Sequence, residues 1–397
     1  MSDEISEPNR VAQKTLMVTW GFPPVMLGSS QIATSLARQF SSEEMVVVAE
    51  KWPGLPNNEW NDECGEKPTV YFIHKQWPWK FKRTFRLFAL PIVLWRLRRV
   101  FKRSKAQQIL AMFPCEYYLY LSWILARWYR VPLFSYFHNT YLENRNGIKR
   151  LFASWLQSRV FRDSAVVFVM SEGMKTVLTQ KHPSIEFVPL VHTFEQLPQR
   201  LPREPEANPG FSLAFMGSLN QSNREAFFRI GAVLRHFPKC SFTTYSENAA
   251  VDFQSIAVAG KTISHTRVTF DEVVTALRNH DVLFFPHGFK GGLTEIEYET
   301  IFPTRTIPYL LSGIPIIAHS PPNAFLTRWL QKNDCAEVVV TPDEQALIAA
   351  FERLIDNPSR CRQLSENAQQ AASSFYGPAV IKQLKDQLNS PKYLRPI

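Results

Sequence analysis

The sequence predicts an α/β protein of two Rossmann-like domains facing each other across a cleft. Three observations predict it. Short apolar runs of strand character alternate with helix-like segments from residue 15 to residue 189, the pattern of a doubly wound sheet. A stretch rich in proline and charge, HTFEQLPQRLPREPEANPG at residues 192–210, interrupts that pattern and reads as an interdomain linker. The alternation then restarts at FSLAFMG, residues 211–217. A length of 397 residues suits two domains, and a 45% hydrophobic composition supplies a core for each.

In the first half, TLMVTW (15–20) is a strand, GFPPVMLGSS breaks it, and residues 32–40 read as a helix. Strand runs recur at 45–49, 70–74, 109–113, 133–137, 166–170 and 187–189, with helices such as 117–129 and 151–161 between them. In the second half a helix at 223–236, a strand at 241–245 and a helix at 271–278 lead to a block at 281–318. A helix at 324–332 and a strand at 336–340 follow. Thr341-Pro342-Asp343-Glu344 reads as a capping box with Thr341 at the N-cap and Glu344 at N3, heading a helix at 345–355. Tyr376-Gly377-Pro378 breaks the chain before a last amphipathic helix at 380–388.

The block DVLFFPHGFKGGLTEIEYETIFPTRTIPYLLSGIPIIA (281–318) carries the most chemistry. It reads as a buried strand, a Gly-bearing loop, a Pro-Thr-Arg turn, a short helix and a second strand. Backbone N–H groups at Gly291, Gly292 and Leu293, the Thr304 hydroxyl and the Arg305 guanidinium suit a diphosphate. Arg305 offers a planar fork matched to phosphate oxygens; the alternative is a surface Arg at a helix start, and for the glycine pair an ordinary loop. In open α/β sheets ligands bind beyond the carboxyl ends of strands. The loops after 15–20, 133–137, 211–216 and 282–285 therefore bring Gly28, His138, Gly217 and the 291–305 region to the cleft.

Composition excludes several classes. The five cysteines are scattered without metal-ligand spacing, and an odd count argues for a reducing, cytosolic setting. MSDEISEPNR is polar and acidic, unlike a signal peptide. No apolar run approaches the roughly 20 residues of a spanning helix. The net charge of +10 admits phosphorylated ligands, an anionic membrane or nucleic acid as partners.

Four local motifs resemble one family. VTWGFPPVMLGSSQIATSLARQF, VMSEGM (169–174), FMGS (215–218) and the 281–318 block are similar, in that order and spacing, to motifs of the GT-B nucleotide-sugar glycosyltransferases, specifically the retaining group 1 or family 4 enzymes. Phe302-Pro303-Thr304-Arg305 stands where that family more usually has Pro-Ser/Thr-Lys. The resemblance implies an N-terminal acceptor domain (1–198, joined by the C-terminal helix 378–397), a linker (199–210) and a donor domain (211–377). It implies transfer of a sugar from a nucleotide-diphosphate sugar to a glycan or lipid-linked acceptor, in cell-surface polysaccharide or glycolipid biosynthesis. It further implies a nucleotide-sugar as substrate, no cofactor and no metal.

The resemblance also implies roles. Donor diphosphate contacts fall on Gly28, Gly217, Arg224, Gly291, Gly292, Thr304 and Arg305. Arg224 also reads as a solvated first-turn residue behind Ser222 and Asn223, which suit an N-cap. His138 faces the donor sugar, or is a polar residue satisfying its own loop. Of the family's paired carboxylates, Glu295 falls near the donor sugar. The usual ribose carboxylate is replaced by Pro308, so ribose binding shifts to Glu297 or Glu299. Pro308 fits only the first turn of a helix, with Thr306 as N-cap. A retaining mechanism needs no dedicated base; an inverting one would use His138 or Glu143. His287 reads as structural. A nucleotide-sugar epimerase and a catalytically silent GT-B binding protein are the rival readings, the latter favoured by Pro308.

Residues 67–115 contain no Asp or Glu. Within them, 77–105 (WPWKFKRTFRLFALPIVLWRLRRVFKRSK) mixes aromatics with Lys and Arg, divided by Pro91 into two helix-like pieces. The pattern suits peripheral attachment to an anionic membrane surface or a helix pair with an apolar core face and a solvated basic face. Nucleic acid is not the expected partner, since no nucleic-acid motif accompanies it.

Overall fold

The computed structural model describes residues 13–23, 25, 28–52, 60, 67–75, 82–194, 211–246, 263–268, 272–291 and 294–393. The chain divides into two compact units: 1–170 with 178–191 and 377–397, and 171–177 with 192–376.

Unit 1 is built on a seven-stranded sheet, β1 (Thr15–Val18), β2 (Met45–Lys51), β3 (Thr69–Lys75), β4 (Gln108–Phe113), β5 (Leu133–Phe137), β6 (Val166–Val169) and β7 (Phe187–Pro189), in the order β3-β2-β1-β4-β5-β6-β7. All pairings are parallel. Strands such as QILAMF (β4) are buried along their whole length because helices cover both faces. The helices are α1 (Gly28–Ala37), α2 (Lys82–Ser104), α3 (Glu116–Tyr129), α4 (Ile148–Asp163) and α5 (Glu172–Lys181), whose first residues, to Val177, count with unit 2. α3 stops at Arg130, which takes up a left-handed φ of 52°.

Unit 2 holds six parallel strands, β8 (Ser212–Met216), β9 (Ser241–Tyr245), β10 (Ile263–Thr266), β11 (Val282–Pro286), β12 (Ile316–His319) and β13 (Glu337–Val339), ordered β10-β9-β8-β11-β12-β13. Its helices are α6 (Arg224–Phe228), α7 (Ile230–His236), α8 (Val273–Leu277), α9 (Glu295–Thr300), α10 (Thr306–Ser312), α11 (Phe325–Lys332), α12 (Glu344–Ile355) and α13 (Pro358–Ala372). The chain then returns to unit 1 through α14 (Gly377–Leu388), whose Val380, Ile381, Leu384 and Leu388 join the apolar core of that unit.

Several local expectations change. α2 runs unbroken through Pro91. Pro91 is exposed, so the carbonyl one turn earlier that loses its N–H partner can bond water instead. The cap of α12 is Asp343, whose carboxylate accepts from the Gln345 N–H at 3.0 Å, so Thr341 is not the N-cap and Glu344 opens the helix. Residues 192–194 are packed, not linker-like: the His192 ring bonds the Phe302 carbonyl at 3.1 Å and Phe194 N–H donates to Phe375 O at 3.1 Å. The rest of the expected linker, 195–210, lies outside the described residues. Helix α13 and edge strand β10 (ISHT, half solvent-facing) were not anticipated. Among the described residues no helix is long and apolar enough to cross a membrane, and no three His, Cys, Asp or Glu converge to hold a metal ion.

Candidate nucleotide-sugar site

In unit 2 the strand order reverses between β8 and β11, and such a switch point opens a crevice beyond the strand ends. The two strands pair only at Leu213–Val282 and Ala214–Leu283. Past that point they separate, and the Tyr309 hydroxyl fills the gap, accepting from Met216 N–H at 2.8 Å and donating to Phe284 O at 3.0 Å. Buried Tyr309 lies in the middle of α10, so it pins that helix across the mouth of the crevice.

One turn earlier on the same side of α10 stands Arg305. Its guanidinium lies over the rings of Phe215 and Phe285, 5.4 and 5.5 Å from their centroids. Gly217 closes the third side. Its φ is +119°, and a Cβ there would meet Arg305 Nη1 at 3.3 Å and Cζ at 3.4 Å. Nη1 is buried with no hydrogen-bond partner, and no carboxylate pairs with Arg305 among the described residues. Burial therefore pulls the pKa of Arg305 down, against the opposing influence of Tyr309. The Thr306 hydroxyl beside it is also buried and unpartnered. His287, at the end of β11, is held neutral: burial and then the nearby Arg305 charge push its pKa down to about 3. A partly desolvated, uncompensated cation flanked by unsatisfied polar groups is a place for an anion.

The loops around this cation are tied together. Gly288 has a φ of +80°, and a Cβ on it would strike the Ser222 carbonyl at 2.0 Å, so the loop after β11 rests directly on the loop after β8. The Glu225 carboxylate accepts from Phe289 N–H at 3.1 Å and pairs with Arg229. Asn223 does not cap α6 with its side chain; its amide donates to Ser218 O at 2.9 Å and accepts from Asn220 N–H at 2.9 Å, shaping the Gly217 turn.

The residues singled out in the sequence fall as follows. Gly217 and Arg305 are in direct apposition, and Thr304 lies half-buried in the turn before α10. Arg305, not Thr306, is the N-cap, and Pro308 sits at the third helical position, where a missing N–H breaks no helix bond. Gly291 (φ +79°) is exposed and its carbonyl accepts from the Tyr298 hydroxyl at 3.4 Å; Gly292 and Leu293 lie outside the described residues. Arg224 is exposed and lies over Phe228. The glutamates stand on a helix, α9, capped by Thr294, rather than in a loop: Glu295 is exposed, Glu297 buried and Glu299 half-buried. In unit 1, Gly28 is exposed at the start of α1, and His138 is buried directly after β5 beside the Tyr136 ring. Glu143 pairs with Lys181 at 2.8 Å. Tyr309, Thr306 and Gly288 were missed; the four-residue spacing from Arg305 to Tyr309 was the one signal that both share a helix face.

Residues 27–194 match the model of Glycosyltransferase Family 4. No curated protein matches the chain in sequence. HepE of Anabaena, solved with UDP-glucose, aligns with a TM-score of 0.70 at 14% identity over 95% of this chain and 100% of that one. Sucrose-phosphate synthase of Thermosynechococcus elongatus aligns with a TM-score of 0.69 at 11% identity, covering 94% and 97%. A glycosyltransferase of Rickettsia africae aligns at 0.66 and 10% identity, covering 96% and 99%. The chain has the GT-B fold of two Rossmann-like units, and it resembles the group 1 or family 4 glycosyltransferases.

Proposed function

We propose that the protein transfers a sugar from a nucleotide-diphosphate sugar to a glycan or lipid-linked acceptor, in the assembly of a cell-surface polysaccharide or glycolipid. Unit 2 serves as the donor domain and unit 1 as the acceptor domain. The observation that carries this reading is the unpaired Arg305 guanidinium, buried at Nη1 and held against Gly217 at the β8–β11 switch point. A diphosphate supplies the missing counter-charge, and its growing negative charge as the glycosidic bond breaks is stabilised there. Thr304, Gly291 and Gly292 complete the diphosphate contacts, Glu297 or Glu299 the ribose, and Glu295 and His138 face the transferred sugar. Arg224 and Gly28 are further diphosphate contacts in this reading. The reaction is retaining and uses neither metal nor cofactor. HepE was solved with UDP and with UDP-glucose, which makes uridine donors the first to test. The protein works in the cytoplasm, attached to a membrane through residues 77–105.

Thermal melting with UDP, GDP, ADP and TDP, followed by hydrolysis and transfer assays with the matching sugars, tests the reading. A shift with at least one diphosphate, lost in Arg305→Ala, is expected; no shift across the panel overturns it. Pro308 in place of a ribose carboxylate favours a second reading, a binding protein without turnover, and a melting shift with no hydrolysis or transfer would select it.

A further inference from the structure

In unit 1, α2, α3 and α4 each precede a strand on the β4–β5–β6 side of the sheet, and right-handed crossovers place all three on one face. An aromatic cluster joins the last two: Tyr120 and Trp123 of α3 lie 6.1 and 5.6 Å from Phe152 and Trp155 of α4. Two patches of large apolar side chains stay exposed in this layer. One is Leu87, Phe88, Ile92 and Trp95 on α2; the other is Ile148, Leu151, Phe152 and Trp155 on α4. Each set repeats at three- and four-residue spacing, so each forms one helix face. The α4 patch fills the first half of its helix, and the α2 patch, residues 87–95, lies around the middle of its 23 residues. α4 follows β5, so its patch starts where the strands' carboxyl ends emerge, while the α2 patch lies further along the same helical layer.

Charge surrounds these patches with one sign. α2 has no acidic residue and exposes Arg96, Arg99, Lys102 and Arg103. α4 exposes Lys149, Arg150 and Arg162. The one acid in each of α3 and α4 is already paired: Glu116 with Arg145 at 3.6 Å and Asp163 with Arg127 at 2.9 Å. With three neighbouring helices spaced about 8–10 Å apart, the two patches are some 16–20 Å from each other. Two apolar wedges amid an excess of cations match the surface of an anionic bilayer, where apolar side chains enter the headgroup boundary and cations meet lipid phosphates.

We infer that the chain docks on anionic membrane through two helices of one layer, α2 and α4, inserted together. This rests on the membrane reading of residues 77–105 and adds to it a second, separate helix and a docking face. The helical layer of α2, α3 and α4 faces the bilayer, which suits an acceptor carried on a lipid.

Co-sedimentation of the full chain with phosphatidylglycerol–phosphatidylcholine vesicles tests this. Phe88 and Ile148 are 79% and 83% exposed, so Phe88→Asp and Ile148→Asp leave the core intact, checked by unchanged thermal melting. Each is expected to weaken partitioning about tenfold, with none of the chain bound to phosphatidylcholine alone. If Phe88→Asp weakens binding and Ile148→Asp does not, the two-helix inference fails while the single-segment reading stands. If the wild-type chain stays in the supernatant, both fail. If light scattering shows a dimer that both variants dissolve, the patches serve a second copy of the chain and the inference is overturned.

Discussion

Arg305 and Tyr309 stand one turn apart on α10 and face the same opening between β8 and β11, one bearing an unpaired charge and the other two hydrogen bonds into the separated strands. The charge costs stability, the hydroxyl contributes it, and the helix joins them. The two roles are separable by mutation.

Arg305→Met keeps the length and apolar stem of the side chain and removes the cation. Because that cation is partly desolvated without a partner, the ligand-free variant should be at least as stable as the parent. Stabilisation by a nucleoside diphosphate should disappear. Parallel melts with and without UDP read both effects.

Tyr309→Phe removes one hydroxyl and leaves Met216 N–H and Phe284 O without partners in a buried gap. The loss should be about 1–3 kcal/mol in urea unfolding. Nucleotide binding should weaken less than in Arg305→Met, since the charge remains.

Gly288→Ala forces a Cβ onto the Ser222 carbonyl at a left-handed φ of +80°. The strain alone is about 1–3 kcal/mol, and the loop must lift off its neighbour. Titration calorimetry should show weaker UDP binding together with a lowered melting temperature.

His192 and His319 are pushed down to about 4 and His287 to about 3, in each case mainly by burial. Unfolded, each binds a proton near pH 6.5. Below that pH the unfolded state holds more protons, so stability falls as the solution is acidified from about 6.5 toward 4, and for His287 toward 3. The steepest contribution is about 1.4 kcal/mol per pH unit per histidine. His192→Gln, which can still donate to the Phe302 carbonyl, should lower the slope of unfolding free energy against pH by about one proton.

The alternation of strands and helices was legible because parallel strands covered on both faces must be continuous apolar runs; β2 (MVVVAEK) and β11 (VLFFP) are examples. Edge strand β10 escaped because ISHT needs no such run. The cap of α12 was misplaced by two residues because Thr341 and Asp343 both offer acceptors, and only the backbone path decides between them. At the site, the charge of Arg305 was visible in sequence. Its isolation was not: the flanking rings come from β8 and β11, residues 215 and 285, and the closing glycine is 88 positions away by the difference of 305 and 217. Loop-on-loop contact between Gly288 and Ser222 is likewise tertiary and leaves no local pattern.

The uncompensated guanidinium of Arg305 bears on what happens after chemistry. A cation that gains from any diphosphate gains from the spent nucleotide as much as from the donor. For the proposed transfer, departure of the leaving nucleotide is therefore expected to slow the cycle, and a pre-steady-state burst of product would report it. The free nucleoside diphosphate should act as a strong competitive product inhibitor, and inorganic phosphate in a buffer should blunt the measured affinity for donor.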